Sequence, residues 1–341
     1  MRTSLRRLIA RPPARTALTV VARATNLPGP LGRIGRAADR LAAETMYDAS
    51  YYRSAPTTDR DGRSGYPDYR RQTSNADALA LLVTNWLDVD AALDVGAAAG
   101  FFVEAMRDLG VDAAGVDVSE AAFELAEPWV RPHLRQVDLA HGLPHRDRSV
   151  PLVTAFETLE HLRPEVVPAA VAELARVTGG FVVATIPSYG PNPSGPDGWF
   201  EGKVRAELVD RYRATPPGDG SPIGHGDLAR DADGRLVEGH LTIASYRWWT
   251  DRFEAVGLVR CETLERRMHL DLARYGLREH LCLYVFRRPE VDEPDEPARP
   301  PNETAALEER LGALEHGAPP HHVDEALAEL ASVGLSPPRR G

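Results

Sequence analysis

The chain has few lysines, few cysteines and no long apolar segment. Lys203 is the one lysine among 40 basic residues, a bias that indicates a GC-rich genome and no particular mechanism. Two cysteines, Cys261 and Cys282, are too few for a disulfide framework, and no cluster of Cys and His has metal-ligand spacing. We therefore expect no metal and a reducing, cytoplasmic setting. No run of about 18 apolar residues exists, so we expect no membrane-spanning helix.

The overall composition also narrows the class of protein. A net charge of −10 argues against a general nucleic-acid binder, because the phosphate backbone attracts basic surfaces. Apolar residues make up 43% of the 341 residues, enough for one large domain with appendages. We therefore expect a globular protein without a nucleic-acid partner.

Three regions of different composition divide the chain. Residues 1–45 are a basic N-terminal arm, with nine arginines and a single acid in the first 40 positions. Arginines mixed with apolar residues contribute about 1 kcal/mol each at an anionic membrane, so the arm is a candidate for peripheral membrane contact. Residues 46–288 are predicted to form one α/β domain. Residues 289–341 begin as an acidic, proline-rich linker and continue as a short helical tail.

Predicted strands alternate with predicted helices after residue 75. Such alternation indicates a doubly wound, mostly parallel sheet with helices on both faces. Residues 187–240 are rich in Gly, Pro and Asp and are predicted to be an insertion after the fifth strand, with residues 241–256 helical. The predicted strands are 91–95, 113–116, 150–156 and 181–186, with 268–272 and 281–287 closing the sheet, and the predicted helices are 78–86, 101–109, 120–126 and 166–177.

The strongest motif joins the first strand to the next helix. Asp94 is followed by Val95, Gly96 and three alanines up to Gly100. Small residues let a ligand approach the backbone, and the N–H groups at the helix N-terminus suit an anion such as a carboxylate. A nicotinamide dinucleotide fingerprint needs glycine at positions 96, 98 and 101, but Ala98 and Phe101 occupy two of them. Asp94 suits an ammonium or sulfonium group and not a pyrophosphate.

Two further acids follow at regular spacing. Asp117, next to Val118, stands 23 residues after Asp94 at the end of the second strand, where it can accept both ribose hydroxyls. Asp138, next to Leu139, stands 21 residues later at the end of the third strand, where it can accept from an adenine amino group. Three acids at successive strand ends predict a nucleoside site.

The stretch from Ala92 to Pro187 resembles the class I S-adenosylmethionine-dependent methyltransferases. The resemblance implies a Rossmann-like sheet, S-adenosyl-L-methionine as cofactor, and Glu160-His161-Leu162 as the Glu-His-Leu often seen after the fourth strand. Two positions depart from the family, because Ala98 replaces the middle glycine and Pro151 replaces an aspartate. The cofactor residues implied are Asp94, Gly96, Ala98, Gly100, Asp117, Val118, Asp138, Leu139 and Phe156, with Glu157 beside them.

The expected reaction is O-methylation of a small-molecule, sugar or glycan acceptor. The segment from Gly239 to Thr242, with Trp248, Trp249 and Phe253, is similar to relatives found with polysaccharide and glycosyl-transfer genes. We predict that residues 187–240 form a lid in which Trp199 and Phe200 stack on the acceptor. His240 is the expected general base because a neutral imidazole accepts protons near pH 7, with His161 and Glu157 as rivals.

Three alternatives to this function remain. A non-catalytic S-adenosylmethionine-binding partner protein would have the same cofactor motifs. Methylation of nitrogen or carbon would use the same fold, although the Asn/Asp-Pro-Pro-Tyr/Phe motif typical of nitrogen acceptors is absent after the fourth strand. Transfer of an aminopropyl group is disfavoured because no paired-aspartate signature is present.

Overall fold

The fold is described from a computed structural model of the chain. The basic arm and most of the C-terminal tail lie outside the described residues, so the predicted domain limits stay predictions. The residues described are 69–195, 202–214, 220–230, 236–274 and 282–299, together with Tyr47, Tyr52, Gly198, Pro216 and Gly218.

Seven strands form the main sheet in the order β3-β2-β1-β4-β5-β9-β8. Strands β1 to β5 pair in parallel, whereas β9 is antiparallel to both β5 and β8. The predicted doubly wound sheet is confirmed. Its strands are β1 (Ala91–Val95), β2 (Asp112–Asp117), β3 (Leu134–Gln136), β4 (Val150–Phe156), β5 (Thr178–Thr185), β8 (Val259–Arg260) and β9 (Leu283–Arg287).

Helices cover both faces of this sheet because each has one apolar stripe to bury. On one face, α1, α2 and α6 share an apolar core with β1 and β9, and on the other face α3 and α5 do so with β4 and β5. Central strands buried on both sides account for the almost continuous apolar sequence of β5. The helices are α1 (Ala76–Trp86), α2 (Phe101–Asp108), α3 (Val167–Val177), α4 (Val209–Ala214), α5 (Tyr246–Ala255) and α6 (Glu262–Arg274).

One predicted strand was wrong. Residues 268–272 were expected to be a strand but belong to α6, where Leu264, Met268 and Leu272 are buried at the four-residue spacing of a helix face. The helix predicted at residues 120–126 is present as a 3-10 helix (Glu120–Leu125). The departure at Pro151 coincides with a register irregularity between β4 and β5, as expected for a residue without a backbone N–H.

The insertion after β5 has a small core of its own. A two-stranded parallel sheet joins its two ends. It pairs β6 (Ser188–Tyr189), at the start of the insertion, with β7 (Ala244–Ser245), shortly after its end. The apolar residues of this core are Tyr189, Val204, Tyr212, Ile223, Leu228, Leu236 and Ile243. Among the described residues, no helix is long and apolar enough to cross a membrane.

Candidate active site

A cavity of about 290 Å³ opens at the carboxyl ends of β1, β2 and β4. Ligands of open α/β sheets bind at this edge, because the strand order reverses there and leaves a crevice. Gly100 is not a lining residue but the N-cap of α2, and it offers no side-chain acceptor to the first N–H groups of that helix. The predicted residues that do line the cavity are Asp94, Gly96, Ala98, Asp117, Val118, Asp138, Leu139, Phe156, Glu157 and His161.

The loop after β1 keeps an unusual backbone. Gly96 has φ +82°, and a Cβ atom there would lie 2.1 Å from Thr158 Oγ1, so only glycine fits. Ala98 also has a positive φ of 44°, which is uncommon for alanine. Its N–H donates to Asp117 Oδ2 at 2.9 Å, a hydrogen bond that holds this conformation. The substitution of alanine for the middle glycine is therefore compatible with the loop.

The three acids of the predicted nucleoside site differ in their surroundings. Asp117 accepts from two backbone N–H groups, those of Ala98 and of Ser119 at 2.7 Å. Asp94 is buried and accepts from Thr154 Oγ1 at 2.8 Å, and burial raises the pKa of its carboxyl to about 7. A cationic ligand beside Asp94 would favour its ionised form. Asp138 accepts from the N–H of Ala140 at 3.0 Å.

Glu157, directly after β4, also lines the cavity. Its φ of 47° lies in the left-handed region, and its N–H donates to the carbonyl oxygen of Thr185 at 2.9 Å. Burial raises the pKa of Glu157 to about 7, and Oε1 has no hydrogen-bond partner among the described residues. The carboxyl group thus lies in the cavity wall at a pKa suited to accepting a proton near neutral pH.

The imidazole rings of His161 and His240 pack against each other. His161 lines the cavity, whereas His240 does not and packs behind it, with the ring centroids 5.0 Å apart. Burial lowers the pKa of His161 to about 4 and that of His240 well below its usual value. Both imidazoles are therefore neutral, but the predicted base His240 has no direct face on the cavity.

Tyrosines from the N-terminal side complete the cavity, which the sequence analysis did not predict. Tyr47, Tyr52 and Tyr69 line it, and Tyr47 Oη lies 2.9 Å from His161 Nδ1. The concentration of tyrosine between positions 47 and 69, in a chain with 7% aromatic residues, is the signal that would have found them.

The predicted lid contributes less than expected. None of the described residues of the insertion lines the cavity, and Trp199 and Phe200 lie outside the described residues. The insertion contacts the site indirectly, because His240 packs against His161 and Lys203 interacts electrostatically with the carboxylates of Glu157 and Glu160.

Comparison with known proteins identifies the domain around this cavity. Residues 93–184 match the family model described as a methyltransferase domain. Residues 93–184 therefore form a class I S-adenosylmethionine-dependent methyltransferase domain. S-adenosyl-L-methionine is the cofactor of this domain family.

One curated relative of this methyltransferase domain is the ubiquinone biosynthesis O-methyltransferase of Azoarcus sp. (strain BH72). It is 33% identical over 101 residues, which are 28% of this chain and 43% of the relative, less than half of its length. A methyltransferase structure from Archaeoglobus fulgidus has 15% identity and a TM-score of 0.39, covering 64% of this chain and 94% of its own. The Streptomyces venezuelae DesVI structure has 20% identity and a TM-score of 0.40, covering 64% and 93%.

The cavity of this methyltransferase domain fits the cofactor chemically. The first-turn N–H groups of α2 suit a carboxylate, and the buried Asp94 suits a positive charge. Asp117 still has acceptor capacity after its two backbone hydrogen bonds, because an ionised carboxylate offers about four acceptor sites. An amino acid, a sulfonium and a ribose thus each have a matching group.

Proposed function

We propose that the chain is an S-adenosylmethionine-dependent methyltransferase that acts on a hydroxyl group of a small molecule, sugar or glycan. The observation that supports this most is that the same cavity is lined by the acids assigned to the cofactor and by Glu157. A hydroxyl acceptor needs a group that takes its proton, and Glu157 lies in the cavity that would hold the cofactor.

The cofactor acids and the tyrosines that line the cavity would set the geometry of methyl transfer. Bound S-adenosylmethionine supplies a methyl group that its sulfonium already activates. The protein therefore has to align the acceptor oxygen with that methyl group and exclude water. Asp94 and Asp117 orient the cofactor in this proposal, and the tyrosine side chains at 47, 52 and 69 shield the cavity from solvent.

Glu157 is the proton acceptor that the geometry favours over His240. It lines the cavity and has an oxygen without a hydrogen-bond partner among the described residues, whereas His240 lies behind His161. His161 lines the cavity as well, but its Nδ1 is already within 2.9 Å of Tyr47 Oη.

Oxygen is favoured over nitrogen or carbon on two grounds. The residues after β4 are Glu157-Thr158-Leu159, without the motif typical of nitrogen acceptors. The curated relative from Azoarcus is named an O-methyltransferase. A non-catalytic cofactor-binding partner is the second candidate function, since the cofactor half of the cavity would serve it equally well.

Two measurements test the proposal. Calorimetry should detect micromolar binding of S-adenosylmethionine and of its demethylated product, and none of nicotinamide dinucleotides. Incubation with methyl-labelled cofactor and a panel of sugars, glycans and phenols should transfer label to an oxygen. Cofactor binding with no transfer to any member would favour the non-catalytic partner, and label on nitrogen or carbon would correct the acceptor atom.

A further inference from the structure

Glu160 is buried without the hydrogen bonds that a buried carboxylate needs. Its side chain is 0% exposed, and neither carboxylate oxygen has a hydrogen-bond partner among the residues that the structure describes. Burial of a carboxylate without donors costs several kcal/mol unless a proton or a cation compensates its charge. A proton or a cation on this carboxylate would therefore stabilise the fold.

Two imidazoles face this carboxylate from separate segments. His161 Nε2 and His240 Nε2 each lie 3.8 Å from Glu160 Oε1, which is longer than a hydrogen bond. One ligand atom from each of the three residues lies within 4.8 Å of the others. Two imidazole nitrogens and one carboxylate around a common point are a ligand set that Zn²⁺ and related ions use in proteins.

The surroundings fix the orientation of these ligands. His161 Nδ1 lies 2.9 Å from Tyr47 Oη and 3.3 Å from the carbonyl oxygen of Gly239, which leaves Nε2 directed towards Glu160. A metal-binding histidine usually uses its second ring nitrogen in this way. The carbonyl oxygen of Glu160 accepts from the N–H groups of residues 241 and 242 at 2.8 and 2.9 Å. These bonds hold the segment of His240 against that of Glu160.

The charges of the cluster favour a cation. Glu160 is buried and Glu157 is half-buried, and Lys203 is a cation that acts on both, more strongly on Glu157 than on Glu160. Metal binding would use the neutral form of each imidazole and would add the positive charge that the carboxylates attract. If both glutamates are ionised, Lys203 compensates only one of the two negative charges, so one remains.

We propose that Glu160, His161 and His240 bind one divalent transition-metal ion, with Zn²⁺ as the reference ion. Three protein ligands leave a coordination position open for water or another oxygen ligand. Because His161 also lines the cofactor cavity, the ion would lie at its wall. If the methyl-transfer function proposed above is correct, this ion would bind the acceptor oxygen and lower its pKa, while Glu157 takes the proton.

Metal binding can be measured without cofactor or acceptor, so its failure is distinguishable from failure of methyl transfer. Untagged full-length protein is treated with a chelator, dialysed and titrated with Zn²⁺ by calorimetry and with Co²⁺ by visible absorption. We expect one ion per chain, d–d bands typical of a nitrogen and oxygen site, and a higher Tm with Zn²⁺. Glu160→Gln and His240→Asn should weaken binding by at least about tenfold and abolish the bands.

Controls separate this site from adventitious binding. His225→Ala removes an exposed histidine from the same insertion, and Glu165→Gln removes an exposed acid near His161. Both variants should bind as the parent does. His161→Gln, at the least buried of the three ligands, tests the site if the other variants fail to fold. Absence of stoichiometric binding in the parent, or parental binding in folded Glu160→Gln, would overturn the proposal and leave Glu160 as a protonated acid.

Discussion

Two fully buried glutamates, Glu265 and Glu160, have opposite surroundings. Both side chains are 0% exposed. Glu265 accepts from Arg260 Nε at 3.0 Å, from Ser194 Oγ and from the N–H of Val285 at 2.8 Å. Glu160 has no hydrogen-bond donor on its carboxylate among the described residues. The first glutamate joins α6, β8 and β9 to the start of the insertion, whereas the second lies beside the cavity.

The difference distinguishes a buried carboxylate that stabilises the fold from one that is available to a ligand. A buried charge with all its partners rigidifies the fold, and one without partners is costly until something binds. The acids of the cavity lie between these extremes. Asp117 has two backbone donors and Asp94 one hydroxyl donor, and each retains acceptor capacity for a ligand.

The largest expected effect is on turnover, at the acid in the cavity wall. Glu157→Gln keeps the shape of the side chain but removes its ability to take a proton. Turnover on a confirmed acceptor should fall by about 10²–10⁴, with cofactor affinity within a few-fold of the parent. Single-turnover assays with labelled cofactor measure this. Glu165→Gln, an exposed acid, is the control, and near-parental turnover of Glu157→Gln would exclude its role as the base.

The second prediction tests the comparison of the two glutamates directly. Glu265→Ala leaves Arg260 buried without its carboxylate and should lower the free energy of unfolding by about 3–5 kcal/mol. In metal-free protein, Glu160→Gln should leave that free energy unchanged or raise it, because it removes an uncompensated buried charge. Urea denaturation followed by circular dichroism measures both. An equal loss of unfolding free energy in the two variants would mean that Glu160 stabilises the fold as much as Glu265 does, and would contradict this comparison.

A third effect concerns cofactor affinity. Asp117→Ala removes one or two charge-assisted hydrogen bonds to the ribose, worth roughly 1.5–3 kcal/mol each, so affinity should fall about tenfold or more. Asp112→Ala, at the exposed opposite end of β2, is the matched control and should bind normally. Calorimetry that finds Asp117→Ala as tight as the parent would remove the ribose assignment.

The smallest effect is a pH dependence of binding caused by Asp94. Burial raises its pKa to about 7, so ionisation of Asp94 destabilises the free protein as pH rises from its unfolded pKa towards 7. A cationic cofactor favours the carboxylate, so its affinity should rise with pH through this range, by at most about tenfold between pH 6 and 8.

Proton release measures this linkage. Calorimetry of cofactor binding in buffers of different ionisation enthalpy reports the protons released near pH 6.5, and Asp94→Asn should release fewer. The same release from Asp94→Asn as from the parent would assign it to another group. Comparison of the two proteins at each pH isolates Asp94 from the other titrating residues.

The convergence of the three acids on one cavity was predictable from the sequence because it depends on local features. Parallel strands bring their carboxyl ends to one edge, so acids at the ends of β1 and β2 and shortly after β3 had to converge. The loop after β1 can be located in the sequence by its small residues alone. Asp94, Asp117 and Asp138 all line the cavity, whereas the positive φ of Ala98 is a backbone detail that composition does not reveal.

The proposed acceptor half depends on contacts between distant segments, which spacing does not reveal. Tyr47 reaches His161 across more than a hundred positions, and His240 reaches Glu160 from the far end of the insertion. The wrong strand at 268–272 has a related cause. A short apolar run has no clear period by itself, and only the buried Leu264 one turn earlier identifies it as a helix face.

The position of β9 has a consequence for how the chain folds. Phe286 pairs with Val182 inside the sheet. The two residues are about a hundred positions apart, so the entropic cost of closing the loop between them is high. During synthesis the strands β1 to β5 emerge before β9, and β5 has an unpaired, apolar edge until β9 arrives. Refolding should therefore show a slow phase in which this edge closes, and intermediates caught before it should be prone to aggregate through β5.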